Sequence, residues 1–136
     1  MHYKFYGKMD KKILSTGAVL GFIAIILGAF GAHALKKVLN LDQLASFETG
    51  VKYQMYHALF LLFLGSSTLV SEKPKKSIYF LVLSGVVLFS GSIHLLATKN
   101  VSNIDFGIIG IVTPIGGLLM IVGWIVLFLN IMKKKA

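Results

Sequence analysis

Four long apolar runs, separated by short polar or lysine-rich segments, constrain this chain more than any other feature of its sequence. A helix rises about 1.5 Å per residue, so roughly 20 apolar residues cross a hydrocarbon core of about 30 Å. The runs predict transmembrane spans at about residues 13–31, 53–70, 78–97 and 107–130. We therefore predict an all-α integral membrane protein, a four-transmembrane-helix bundle in which residues 1–136 form one membrane domain.

The composition supports this class of protein and excludes others. Of the 136 residues, 56% are hydrophobic and 14% are charged, against roughly 25% charged residues in soluble domains. The net charge of +9 comes from 14 lysines without any arginine. Because these lysines flank the apolar runs, they predict membrane lipids as partners and no nucleic acid, whose recognition favours arginine. The absence of cysteine excludes disulfides, cysteine-ligated metals and thiol catalysis, and we expect no cofactor.

The distribution of lysines predicts an orientation. Four spans place both termini and the loop at 71–77 on one side of the membrane with ten lysines, and leave four lysines on the other side. Positively charged loops stay in the cytoplasm, so both termini are predicted to be cytoplasmic in a multi-pass protein of the cell membrane. The segment Ala32-His33-Ala34 resembles a signal-peptidase site, but the three spans that follow favour a retained first helix.

A short amphipathic helix is predicted between the first two spans, at residues 41–52. Asn40 is a favourable N-cap residue, and Gln43 occupies the position that completes a capping box. The apolar residues of this segment recur at near-helical spacing, which is typical of a helix that lies in the membrane interface. Gly50 is the point at which the chain is expected to bend into the second span.

Small residues mark the helix faces that we expect to pack closely. Gly17 and Gly21 form a GxxxG pair, which lets a neighbouring helix approach, within the chain or in a homo-oligomer. In the fourth span, Pro114, Gly116 and Gly117 predict a helix kink. Such a kink is either a packed bend or a break that exposes backbone groups to an ion or substrate, and the occurrence of only one favours the packed bend.

The stretch from Phe47 to His57 is polar, aromatic and charged, although it lies between apolar runs. In the predicted topology, the histidines that end the first span, begin the second and end the third all lie at the outer membrane level. Together with neighbouring polar residues they form a candidate ligand-binding cluster. Its predicted members are His33, Glu48, Gln54, His57 and Thr113, with Tyr53 and His94 as accessory residues.

Three functional hypotheses follow from this cluster. The leading one is a non-enzymatic membrane protein whose outer face binds a small ligand, a lipid headgroup or a partner protein. The first alternative is an oligomeric transporter or channel for small solutes or ions, which would use the break at Pro114. The second is a metal-dependent membrane enzyme, since histidines with a carboxylate can bind a transition metal. Equally, each histidine can be an interfacial residue bonded to a backbone carbonyl, so metal binding stays open.

Several segments of the chain resemble one family of small bacterial inner-membrane proteins. The matching pieces are residues 28–35, 47–59, 89–92 and 113–117, with Gly123-Trp124. The family is known only as a domain of unknown function, number 423 in that series, and a eukaryotic family of small transmembrane proteins is similar to it. The resemblance implies four membrane helices and brings no established activity.

Two positions depart from the pattern of that family. Lys52 stands where the family usually has arginine, and His94 stands where a tyrosine is expected. The second departure weakens the hypothesis of a three-histidine metal site, since one ligand would be particular to this chain.

Overall fold

The computed structural model describes residues 7–99 and 107–134, and this part of the chain is almost entirely helical. Residues 1–6 of the basic N-terminal segment and residues 100–106 of the polar connection, with Asp105, lie outside the described part. The long helices are α1 (Lys8–His33), α2 (Leu41–Ser66), α3 (Glu72–Ala97) and α4 (Val112–Lys133). Short 3-10 turns lie at Leu35–Lys37 and Gly107–Ile111.

Three of these helical segments are long and apolar enough to cross a membrane. They are Lys8–Lys37, Glu72–Ala97 and Ile109–Lys133. The second helix, α2, does not meet the same criterion, because the polar residues of the stretch 52–57 lower its mean hydropathy. The all-helical membrane class is therefore confirmed, while length and hydropathy alone identify three spans instead of four.

The N-terminus of α2 confirms the predicted capping box. The side-chain Oδ1 of Asn40 accepts a hydrogen bond from the backbone N–H of Gln43 at 2.8 Å. The backbone N–H of Asn40 in turn donates to Oε1 of Gln43 at 3.1 Å. These two bonds satisfy donors that the first turn of a helix leaves without partners.

The structure does not separate an interfacial helix at 41–52 from a span that begins at residue 53. Instead α2 runs unbroken for 26 residues, from Leu41 to Ser66. Gly50 does not interrupt this helix. A side chain at Gly50 would begin 2.9 Å from Cε1 of His94, so the glycine leaves room for α3 to approach. Close packing against α3 therefore accounts for the glycine at position 50, which the sequence suggested as a hinge.

The four helices pack mainly in chain order. The largest contacts join α1 to α2 and α3 to α4, and α2 also lies along α3. One buried cluster runs through this bundle and contains Ile13, Phe60, Leu61, Leu64, Val70, Ile78, Tyr79, Val82, Val86, Met120 and Leu127. A smaller cluster of Leu35, Leu39, Phe47 and Ala97 closes the end at which Asn40 begins α2. We call this the Asn40 end and the opposite one the Asp10 end.

Glycines make the closest helix contacts, as the sequence predicts. A side chain at Gly17 would meet the carbonyl oxygen of Ala58 at 2.9 Å. Between α3 and α4, a side chain at Gly116 would meet the carbonyl oxygen of Gly85 at 2.7 Å. Gly21 is looser, since its nearest neighbour, Cβ of Ala58, lies at 3.8 Å. The tightest glycine positions are thus already occupied by helices of the same chain.

The predicted kink at Pro114 takes a different form. The backbone changes from a 3-10 turn to α-helix at Val112, and α4 then continues to Lys133. Pro114 lies in the first turn of α4, a position at which proline is tolerated. Gly116 and Gly117 both face Phe89 of α3 and serve helix packing.

Candidate functional site

His57 lies in the interior of the bundle with 4% of its surface exposed. Its Nδ1 lies 2.8 Å from the backbone carbonyl oxygen of Tyr53, one turn earlier in α2. Its Nε2 lies 3.0 Å from the indole nitrogen of Trp124 in α4. A carbonyl only accepts and an indole N–H only donates, so Nδ1 carries the proton and Nε2 accepts. Both nitrogens are committed, and neither is directed to a ligand.

Gln54 makes two bonds to neighbouring helices. It is 5% exposed, and its Nε2 donates to the carbonyl oxygen of Leu20 in α1 at 3.0 Å. Its Oε1 lies 3.2 Å from Nε2 of His94 in α3. Because an amide oxygen only accepts, the proton of His94 is on Nε2. One glutamine in α2 is therefore bonded to the helices on both sides of it.

His94 is held among aromatic and backbone groups. Its ring lies against Phe47 with a centroid distance of 4.9 Å, and it fills the space left by Gly50. Its second nitrogen, Nδ1, is buried and has no hydrogen-bond partner among the described residues. The bonds of Gln54 join α1, α2 and α3, and the bond between Trp124 and His57 joins α4 to α2. We call these two sets of bonds the interhelical network.

The three predicted histidines do not share one level of the bundle. The residue that follows His57 lies against Gly21, which is 12 positions before His33 in α1 (33 − 21). At 1.5 Å per residue, His57 and His33 are separated by about 18 Å along the helix axis. His94 packs on Gly50, seven positions before His57 in α2 (57 − 50). The prediction of a common outer level was wrong because α2 begins 12 residues earlier than the span that was predicted for it (53 − 41).

The other predicted residues lie apart from one another and from the interhelical network. His33 and Glu48 are exposed near the Asn40 end, and Tyr53 is 40% exposed on the side of α2. Thr113 lies in the first turn of α4, where its hydroxyl is hydrogen-bonded to Ser92 of α3. The structure thus places Gln54, His57 and His94 in the interhelical network and leaves His33, Glu48 and Thr113 outside it.

The described residues offer no metal site. No group of three or more His, Cys, Asp or Glu side chains comes close enough to hold an ion within residues 7–99 and 107–134. The hypothesis of a metal-dependent enzyme therefore finds no support in this part of the chain. That hypothesis depended on three histidines at the same level of the bundle, and the register of the helices places them at different levels.

A recess of about 590 Å³ opens at the Asn40 end. It lies between the first turns of α2, the last turns of α3 and the start of α4. Its polar lining residues are Asn40, Asp42, Gln43, Ser46, Lys99 and Thr113, and its apolar ones include Ile93, Leu96, Ala97 and Pro114. We call it the Asn40-end recess. Its volume falls within the range of small-molecule sites, roughly 300–1,000 Å³.

Sequence reasoning missed an ion pair at the Asp10 end. Lys75 is 5% exposed, and its ammonium donates to Oδ1 of Asp10 at 3.0 Å and to the carbonyl oxygen of Ser67 at 2.8 Å. Lys75 belongs to a run of basic residues that the sequence assigned as a whole to lipid headgroups. Nothing in the local pattern distinguished it from exposed Lys73 and Lys76.

An all-helical chain with three membrane-length helices and a buried polar network defines a multi-pass helical membrane protein. A family model described as a protein of unknown function (DUF423) matches residues 27–117. This chain belongs to that family, which confirms the resemblance found in its motifs.

Relatives cover nearly the whole chain. A UPF0382 membrane protein of Staphylococcus saprophyticus is 38% identical over 90% of this chain and 98% of its own length. One from Haemophilus influenzae is also 38% identical, over 94% and 99% respectively. The UPF0382 inner membrane protein YgdD of Escherichia coli is 35% identical over 90% and 91%. No solved structure matches the chain.

Proposed function

We propose that this chain is a non-enzymatic, four-span protein of the bacterial cytoplasmic membrane that binds a phospholipid headgroup in its Asn40-end recess. Both termini face the cytoplasm in this proposal, so the recess opens at the outer leaflet. The orientation rests on the predicted lysine distribution, with ten lysines on the side of the termini and four on the other. The recess is the observation that carries the proposal.

The packing of α2 supports a fourth span. α2 has 26 residues, the same length as α1 and α3, and it packs between them. Two of the residues that lower its hydropathy, Gln54 and His57, are buried and hydrogen-bonded. A polar residue that makes its hydrogen bonds inside the protein opposes insertion of the helix into the membrane less than a polar residue that faces lipid.

The interhelical network supports a non-enzymatic role. General acid–base chemistry requires a group within reach of a substrate proton. Both nitrogens of His57 are instead bonded to Tyr53 and Trp124. Both ends of the Gln54 amide are bonded to neighbouring helices. These polar groups stabilise helix contacts and are not directed into the recess.

The lining of the recess fits a zwitterionic headgroup. Asp42 offers a negative charge for an ammonium group, and the hydroxyl of Ser46 offers a donor for a phosphate. The apolar residues Ile93, Leu96 and Ala97 border the same space and suit the first carbons of the acyl chains. This combination favours a headgroup such as phosphatidylethanolamine over a fully water-soluble ligand.

Native mass spectrometry of the protein released from vesicles of phosphatidylethanolamine and phosphatidylglycerol tests this proposal. Wild-type protein is expected to retain phosphatidylethanolamine. Ser46→Trp, which fills the recess, and Asp42→Asn, which removes its negative charge, are expected to lose it.

Val38→Trp is the matched control, because Val38 is 59% exposed near the same end and does not line the recess. Equal phosphatidylethanolamine retention by wild type, Ser46→Trp and Val38→Trp would contradict the proposal. A selective loss in Ser46→Trp supports it.

A further inference from the structure

A cavity of about 280 Å³ lies at the Asp10 end, between the turn that joins α2 to α3 and the end of α4. Its lining residues are Thr68, Leu69, Ser71, Asn130, Lys133 and Lys134. We call it the Lys134 cavity. It is at the opposite end of the bundle from the Asn40-end recess and shares no lining residue with it.

The charge of the Lys134 cavity is positive and is not compensated by the residues around it. Two lysines line the cavity, and none of its described lining residues is acidic. A neighbouring cavity at the same end, by contrast, contains the carboxylates of Asp10 and Glu72. Within residues 7–99 and 107–134, neither Lys133 nor Lys134 has a carboxylate partner. The cavity therefore favours an anion and disfavours an ammonium group.

Lys134 is held in place at the wall of the cavity. Its ammonium donates to the backbone carbonyl oxygen of Thr68, across the gap between α4 and the turn before α3. An ammonium has three N–H donors, so two remain for a ligand. Because the charge is already positioned, less side-chain entropy is lost when an anion binds.

Two neutral side chains of the cavity keep hydrogen-bonding groups that the helices do not use. Ser71 is the N-cap residue of α3 and makes no capping bond with its side chain. Pro74 occupies one of the two positions whose N–H a capping hydroxyl accepts, and proline has none. Asn130 donates from Nδ2 to the carbonyl oxygen of Val126, which leaves its Oδ1 as an acceptor. The cavity thus offers donors to an anion and an acceptor to a hydroxyl group.

The surface beside the cavity is apolar. Leu69 lines the cavity and is exposed, and Phe128 and Leu129 are exposed on α4 directly before Asn130. The two lysines follow the apolar run of α4, so the cavity lies at the level of lipid headgroups. An anion that carries acyl chains fits this position better than a fully water-soluble one.

We propose that the Lys134 cavity binds the headgroup of an anionic phospholipid, phosphatidylglycerol. Its phosphate accepts hydrogen bonds from Lys133 and Lys134, and a hydroxyl of its terminal glycerol donates to Oδ1 of Asn130. Phosphatidylethanolamine, proposed for the Asn40-end recess, carries an ammonium group that the two lysines repel. The two ends of the protein therefore select different lipids, and each site is tested without the other.

Native mass spectrometry of the protein released from vesicles of phosphatidylethanolamine and phosphatidylglycerol tests the proposal. Wild-type protein is expected to retain phosphatidylglycerol. The double variant Lys133→Gln/Lys134→Gln is expected to bind it about 30-fold more weakly, since each lysine near an anionic headgroup contributes about fivefold.

Lys73→Gln/Lys76→Gln is the matched control, because both are exposed lysines of the same end that do not line the cavity. A loss of phosphatidylglycerol confined to Lys133→Gln/Lys134→Gln supports the proposal. An equal loss in both double variants, or no loss in Lys133→Gln/Lys134→Gln, overturns it.

Asn130→Leu tests the headgroup hydroxyl and leaves both lysines in place. In vesicles of phosphatidylglycerol and phosphatidic acid, whose phosphate carries no glycerol headgroup, the variant is expected to lose the preference of the wild type for phosphatidylglycerol. An unchanged preference overturns the assignment. Inorganic phosphate, added at the ionic strength of a chloride control, is expected to leave lipid retention unchanged, and displacement by phosphate alone would show that the ligand is a free anion.

Discussion

The indole N–H of Trp124 in α4 donates a hydrogen bond to Nε2 of His57 in α2 across 3.0 Å. Trp124 is 49% exposed on the surface of the bundle, whereas His57 is buried beneath it. The indole also packs edge-on against Phe60, with ring centroids 4.5 Å apart. This bond fixes the tautomer of His57 and joins the two helices that stand on either side of α3.

Replacing Trp124 by phenylalanine keeps an aromatic ring against Phe60 and removes the donor to His57. A buried acceptor without a partner destabilises the fold, and interhelical bonds in membranes contribute about 1 kcal/mol. We expect Trp124→Phe to lower the free energy of unfolding in detergent by about that amount. A double-mutant cycle with His57→Leu isolates the bond, and a coupling energy near zero would argue against it.

Gly116→Ala tests the contact between α3 and α4. The added methyl group would lie 2.7 Å from the carbonyl oxygen of Gly85 and would also meet the backbone nitrogen of Phe89. Backbone atoms cannot rotate away, so we expect a loss of about 1–3 kcal/mol or more in stability. In Gly91→Ala, the methyl group meets nothing within 4 Å, and alanine's helix preference predicts a gain of about 0.5–1 kcal/mol. Thermal denaturation of both variants tests this contact, since similar melting temperatures for Gly116→Ala and Gly91→Ala would disprove it.

Gln54→Leu tests the bonds from α2 to its two neighbours. The change leaves Nε2–H of His94 buried without an acceptor, which costs about 1–3 kcal/mol. The carbonyl oxygen of Leu20 loses the bond from Gln54 but keeps its bond within α1. Adding His94→Phe removes the stranded donor and keeps a ring against Phe47, so we expect most of the stability to return. Additive losses in the double variant would show that the pair is not coupled.

Asp10→Asn tests the ion pair at the Asp10 end. The substitution leaves the buried ammonium of Lys75 with only the carbonyl of Ser67 as a partner. Because Asp10 is itself 18% exposed, we expect a loss of about 1–3 kcal/mol, below the cost of breaking a fully buried pair. Glu72→Gln is the matched control on an exposed acid. Adding Lys75→Met to Asp10→Asn removes the uncompensated charge and should recover stability, and a failure to recover would contradict this reasoning.

Single cysteines test the proposed orientation. Lys37 and Lys73 are both exposed and lie at opposite ends of the bundle. A membrane-impermeant maleimide is expected to label Lys37→Cys in intact cells and Lys73→Cys only after the inner membrane is permeabilised. The reverse pattern would place both termini outside the cytoplasm.

Features that depend on neighbouring residues could be predicted from the sequence. Apolar run length identified helices α1, α3 and α4 as candidate membrane spans. The capping box at Asn40 and Gln43 appeared as predicted, because its bonds join residues three apart. Gly17 could be assigned to a close helix contact, because a residue without a side chain lets any neighbouring helix approach, whichever helix that is.

The interhelical network and the unbroken course of α2 from residue 41 through residue 66 were decided by tertiary structure. His57 and Trp124 are 67 residues apart, and no local pattern encodes the register between two helices. The polar residues of α2 resemble a membrane interface in sequence, because hydropathy cannot tell an exposed glutamine from one whose amide is bonded on both sides. Packing supplies those bonds, so Gln54 and His57, which suggested an outer binding site, lie in the interior of the bundle.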